Sequence, residues 1–493
     1  MASIRLDQSL DWREIAAVAA GAGLTLSDPA RGRVDHANAL VRAIVERGTR
    51  VYGVNTGIGA LCDVVVARSD QQRLSRNIIR SHACGVGQPL GAEEVRAVIA
   101  AQINNFAHGY SGVRLELVEA LAALLDGNCL PVVPEGGSVG YLTHMAHIAL
   151  VLIGEGFAKV NGVRLAGDEA LARINRTPLV LEAKEGLSLV NGAPCAAGLA
   201  CVALDRAERF LGWADAVAAL SFEALGRQPG AFDQAVLAAR PSPGLLKSGA
   251  RLRDLLAGSA PRGQGLGTQD ALSLRAVPHV HGAAWDVFAR TVEVVDLELK
   301  SATDNPIVMG GVAEPVACSE AHAVAAGLGM AADSLAAAAA QVAAMAERRL
   351  DRLLNPQISG LPAFLAADGG VCSGLMIAQY SAVALVAENR RLAAPAGLDG
   401  GVTSALQEDH LSHATSAVTK LLAILENARR ILSIELLAAA QAREFLPIEG
   451  RSPALEAIYL RLREKIPRYQ DDRPLGDAMT AAAEWLRRET LDA

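Results

Sequence analysis

The sequence predicts an all-α protein, in which a long central helical bundle follows a loop-rich helical N-terminal region. Three observations support this. Hydrophobic residues make up 51% of the 493-residue chain but aromatics only 4%, so the core is assembled from Ala, Leu and Val, which suits closely packed helices. Residues 317–354 contain no proline, are rich in Ala and repeat apolar side chains three and four positions apart. At 1.5 Å per residue this predicts a helix of roughly 55 Å, longer than a globular helix usually is. Residues 373–394 and 412–443 carry the same pattern. The length suggests more than one domain, and the expected division is 1–200 for the N-terminal helical region and 201–493 for the bundle.

The formal charge of -7 is spread along the chain. With no basic block to track a phosphate backbone and no polybasic tail, nucleic acid and membrane surfaces are not the expected partners. The seven cysteines (Cys62, Cys84, Cys129, Cys195, Cys201, Cys318 and Cys372) form no CxxC pair, which predicts reduced thiols and a cytoplasmic protein. The first residues, MASIRLDQSLDW, have no signal layout. No His-Glu-x-x-His string, phosphate loop or dinucleotide fingerprint is present, so no metal is expected.

Taken in order, residues 1 to about 50 read as short helices joined by turns, DPARGR among them. VYGVNTGIGAL, 51–61, is a loop whose three glycines allow close approach to a ligand, with Tyr52 at its start. NIIRSHACGVGQPL, 77–90, contains His82, and a helix is predicted to end at Gly127. The stretch 134–156, PEGGSVGYLTHMAHIALVLIGEG, passes from a glycine-rich turn straight into an apolar helical pattern. Its first backbone donors should therefore face whatever occupies the turn. KEGLSLVNG, 184–192, places Asn191 before a glycine; QDALSLRAVPHVHG, 269–282, contains Arg275; and SATDNP, 301–306, reads as a turn. Glu320 and His322 fall near the predicted start of the long helix, and TSALQEDHLSH, 403–413, carries Glu408.

From about residue 45 to 445 these strings resemble, in order, the histidine and phenylalanine ammonia-lyase family. The resemblance implies a homotetramer with shared active sites and a small-molecule imidazole amino acid or betaine as substrate. It makes Tyr52 the base that removes the β-proton and Arg275 the grip on the substrate carboxylate. Arg suits that role because its rigid fork of donors matches a carboxylate. Asn191 would lie near the amino and carboxylate end. His82 and Glu408 would read the imidazole, since the histidine branch has Glu where the phenylalanine branch has Gln.

Two segments depart from the family. After the equivalent of Gly140 the family has an Ala-Ser-Gly triplet that cyclises to the methylidene-imidazolone electrophile, whereas here Gly140 is followed directly by Tyr141. Where the family has Gly-Asn-Phe-His-Gly-Gln-Pro, this chain reads Cys318-Ser319-Glu320-Ala321-His322-Ala323. The expectation drawn from these departures is catalysis with no bound cofactor. The substrate would supply its own leaving group, as ergothioneine does in giving thiolurocanate and trimethylamine. Glu320 would then offset the cation, with His322 beside it, and Tyr141 would offer it an aromatic face. The alternatives are a histidine ammonia-lyase with methylidene-imidazolone, its triplet unwritten, and an inactive paralogue that binds a ligand.

Overall fold

The computed structural model describes residues 3–260 and 268–491. The described residues are mainly helical, with short two- and three-stranded sheets among them, and the chain folds as two units. The first comprises residues 1–205, 291–333 and 395–419; the second comprises 206–290, 334–394 and 420–493. The expected boundary at residues 200/201 therefore does not separate two continuous domains. Segments 291–333 and 395–419 return to pack with the N-terminal residues, and a composition profile cannot register such long-range contacts.

The first unit shows why local signals can be misread. DPARGR is the opening of the 20-residue helix Asp28–Arg47, not a turn. Ser27 caps that helix by accepting from the Ala30 N–H at 3.2 Å, and Pro29 occupies a first-turn position where its missing N–H costs nothing. Gly48 ends the helix in the left-handed region. Ala37, Leu40, Val41 and Ile44 from this helix pack with Val54 and Val308 in a buried cluster. Val308 comes from Ile307–Gly311, which pairs antiparallel with Glu314–Cys318.

That hairpin also moves the start of the long helix. Expected from residue 317, it begins at Ala326 and runs to Leu354, after Ala325 has adopted a positive φ of 50°. Glu320 and His322 consequently lie in the connection after the hairpin, ahead of the helix. The predicted helix end at Gly127 holds, with Leu115–Asp126 capped there.

In the second unit, buried polar pairs are set among the helices. The Arg349 guanidinium donates to both Glu435 oxygens at 2.6 and 2.9 Å, and Ser221 adds a third bond to Glu435 at 2.7 Å. The Arg349 and Glu435 side chains are fully buried, so each charge depends on the other. Trp213 packs on Trp485 with ring centroids 4.8 Å apart. Among the described residues, two helical stretches are long and apolar enough to cross a membrane by length and composition, Glu185–Ala224 and His322–Leu354. The most apolar window of the former is wholly buried in the protein, that of the latter 39% buried.

Candidate active site

The short helix Glu185–Val190 is buried at every position and has three site segments built against it. Its Gly186 allows a close backbone approach: a Cβ there would fall 2.3 Å from the Ser75 carbonyl oxygen. The loop bearing Tyr52 packs on Leu187, and Gly53, at φ 63°, has no room for a side chain because a Cβ would meet Leu187 Cδ2 at 2.1 Å. The turn before the helix Thr143–Leu152 is fastened from the other side, where the Leu142 N–H donates to the Val190 carbonyl at 3.0 Å. Asn191 follows Val190 directly.

Residues 395–419 close over this arrangement. The Thr415 hydroxyl donates to the Gly140 carbonyl at 3.1 Å, the His413 N–H to that of Val139 at 3.0 Å, and the Ala60 N–H to Ser404 Oγ at 3.2 Å. Within the turn, Ser138 Oγ accepts from the Gly140 N–H at 3.1 Å and donates to the Tyr141 carbonyl at 3.0 Å. Leu142 takes a φ of 74°, a strained value for a branched side chain.

These connections bring Tyr52, Tyr141 and Glu408 together. The Tyr141 hydroxyl donates to Glu408 Oε2 at 3.0 Å, and the Tyr52 hydroxyl accepts from the Gly59 N–H at 3.1 Å. Burial raises the Tyr52 pKa above the ordinary phenol value; the Gly59 N–H opposes this, while the Glu408 charge adds to it. Tyr141 is pushed further in the same direction, by burial and then by Glu408. Both phenols are therefore neutral at neutral pH until a positive charge arrives.

Asn191 is buried, and its Nδ2 lies 2.6 Å from the Asn305 carbonyl and 3.3 Å from Asp304 Oδ1. Asn305 Oδ1 in turn accepts from the Glu320 N–H at 3.0 Å. Glu320 Oε2 sits 3.1 Å from His322 Nδ1, Oε1 is buried without a partner, and burial raises the carboxyl pKa. His82 is held by its own helix, with Nδ1 2.8 Å from the Ile78 carbonyl, and burial lowers its pKa. Arg275 belongs to the second unit, where its Nε donates to the Asp270 carbonyl at 2.8 Å.

The residues that sequence reasoning missed are Asp304, Asn305 and Ser404. SATDNP reads as a turn and is an irregular, bent connection, but its side chains also hold Asn191 and the Glu320 backbone. Lys184 heads the string KEGLSLV with Glu185 beside it, but that glutamate pairs with Arg114 and the lysine with Asp304, a partner choice that no local pattern signals.

A helical fold with tyrosine and carboxylate side chains gathered at a glycine-rich turn suits proton-transfer chemistry of the kind a lyase performs. The chain belongs to the aromatic amino acid lyase family, whose model matches residues 10–464. It is 43% identical over 499 residues to a histidine ammonia-lyase of Symbiobacterium thermophilum, covering 100% of this chain and 98% of the relative. The crystal structure of tyrosine aminomutase from Streptomyces globisporus superposes with a TM-score of 0.94 at 32% identity, covering 98% and 97% of the two chains. Ergothionase from Treponema denticola, solved with desmethyl-ergothioneine sulfonic acid, gives a TM-score of 0.91 at 26% identity, covering 98% and 99%. The chain is a carbon–nitrogen lyase with the helical fold of that family.

Membership corrects the expectation of catalysis with no cofactor, because the family's members, the histidine ammonia-lyases among them, use methylidene-imidazolone. The residues present do not fit that group. Gly140 is joined directly to Tyr141, with no serine between them to lose water, and Ser138 is engaged in the turn through both its donor and its acceptor.

Proposed function

We propose that this protein eliminates the α-amine of an imidazole-bearing amino acid. Tyr52 takes the proton from Cβ, the C–H electron pair becomes the Cα=Cβ bond, and the C–N pair leaves with the amine. The observation that carries the proposal is the Tyr52–Tyr141–Glu408 cluster, set in a chain 43% identical to a histidine ammonia-lyase. A cationic substrate entering beside Tyr52 offsets the charge of Glu408 and favours the phenolate needed for base duty. Glu408 gives Oε2 to Tyr141 and has a second oxygen with which to accept a ring N–H.

Histidine, yielding urocanate and ammonia, is the substrate that the relatives' names support. A second reading is favoured by the Gly140–Tyr141 junction. Ergothioneine carries a trimethylammonium that departs as neutral trimethylamine and leaves thiolurocanate; Glu320 would offset that cation and Tyr141 would offer it an aromatic face.

The test is the intact mass of the purified protein, followed by incubation with each compound while the conjugated acrylate product is monitored. Urocanate from histidine establishes the former reading, and product from the betaine alone the latter. Tyr52→Phe should abolish turnover in either case, and a wild type that converts neither compound would refute the proposal. We also place the enzyme in the cytoplasm, which its seven free thiols support, and expect a homotetramer. Support for the tetramer comes from the exposed apolar side chains Ile377, Tyr380 and Val383 on the helix Met376–Leu392. Light scattering should then report about four times the 51.3 kDa chain mass.

A further inference from the structure

Asn191 is buried, and both N–H groups of its amide are directed into the protein, toward the Asn305 carbonyl and Asp304 Oδ1. Turned over, the amide would set its own oxygen against these two acceptors, so the network fixes its orientation. What it can offer a ligand is Oδ1, an acceptor.

The cause of this orientation lies one layer deeper. Asp304 and Lys184 form an ion pair at 2.9 Å in which both side chains are fully buried. Lys184 also donates to Ser188 Oγ at 2.8 Å, and that hydroxyl donates to the Ser111 carbonyl at 3.2 Å. Asp304 Oδ1 accepts from the Asn305 N–H at 2.8 Å as well as from Asn191. An ion pair buried this completely holds its geometry, because moving either charge strands the other. Asn305 is the hub: its carbonyl takes the Asn191 amide, and its Oδ1 takes the Glu320 N–H at 3.0 Å and the Ser319 hydroxyl at 3.2 Å.

We propose that Asp304, with its counter-ion Lys184, and Asn305 are positioning residues. They present the Asn191 carbonyl oxygen, with the Glu320 backbone N–H tied to the same hub, to the cationic nitrogen end of the substrate. In this arrangement Asn191 accepts from, or faces as a dipole, the departing amine, and it does not donate to the substrate carboxylate. The proposal rests on the imidazole amino acid reading and adds to it the residues that hold the amine.

The experiment uses the full chain and two ligands: whichever of histidine and ergothioneine the wild type converts, and 3-(imidazol-4-yl)propanoate, which keeps ring and carboxylate but has no amine. Asn305→Ala keeps the backbone carbonyl that holds Asn191 but removes the Oδ1 bonds that fix the Glu320 N–H and the Ser319 hydroxyl; with Glu320 no longer held toward the amine, KM for the substrate should rise about tenfold, while the inhibition constant of the amine-free acid stays within about twofold. Asn305→Asp keeps both side-chain acceptor roles and should restore most of the loss. The pair Lys184→Met with Asp304→Asn removes both buried charges together and should reproduce the Asn305→Ala pattern. Parallel rises for both ligands would mean general damage to the fold, and no change for either would mean no positioning; each overturns the inference while leaving the function standing. A wild type inert toward both substrates removes the function and this inference together.

Discussion

Replacing Tyr141 with Phe deletes one hydroxyl from a buried ring and leaves the shape of the turn unchanged. What disappears is the 3.0 Å bond to Glu408 Oε2. A hydrogen bond to a charged acceptor contributes about 1.5–3 kcal/mol, and because Glu408 is only partly buried the lower half of that range applies. If the bond orients Glu408 in the transition state, kcat/KM should fall about ten- to thirtyfold, at 1.36 kcal/mol per decade. Stability should change little, because the released carboxylate can be hydrated. The assay is a double-mutant cycle in kcat/KM with Tyr141→Phe, Glu408→Gln and both together. The expected coupling is about 1.5–2 kcal/mol, so the double variant should be hardly worse than the poorer single one. Strict additivity, or a Tyr141→Phe enzyme within twofold of wild type, would refute the role given to this pair.

Two further predictions concern stability. Burial lifts the Glu298 carboxyl from 4.5 to about 7, so between those values the folded state binds more protons than the unfolded one and stability declines as pH rises. Glu298→Gln should therefore raise stability by about 3 kcal/mol at pH 8 and by almost nothing near pH 4.5; equal gains at both pH values in denaturant titrations would exclude this cause. Arg349→Met leaves Glu435 buried without its partner and should cost about 3–5 kcal/mol, while Arg349→Met with Glu435→Gln should recover much of that. Thermal unfolding of the two proteins makes the comparison, and a double variant as weak as the single one would contradict it.

The long helices were legible because apolar periodicity is a local property. Ala414–Glu444 and Met376–Leu392 lie close to where the pattern put them. Ala326–Leu354 was misplaced at its start because residues 317–325, ACSEAHAVA, are as rich in alanine and as free of proline as the helix they precede, and only the pairing of their first two residues with Ile307–Gly311 and the positive φ of Ala325 end that continuity. In the site, Tyr52, Tyr141 and Glu408 could be singled out by resemblance, but that Tyr141 binds Glu408 could not, since 267 residues separate them. The hub at Asn305 was hidden for another reason. Asp-Asn-Pro has an adequate local explanation as a turn, and a second role for the same side chains leaves no trace in the pattern.

The first unit is completed only by residues 395–419, and this bears on how the protein is made. A ribosome adding about 5–20 residues per second needs roughly 10–40 s to pass from residue 205 to residue 419. During that interval the Tyr52 loop has no Ser404 to receive the Ala60 N–H, the Gly140 carbonyl has no Thr415, and Glu408 does not yet exist. Lys184 likewise waits for Asp304, 120 residues downstream. A chain released early, or cut ahead of residue 395, would thus carry Tyr52 without the carboxylate beside it, so the cluster of Tyr52, Tyr141 and Glu408 can form only once residues 395–419 have been made.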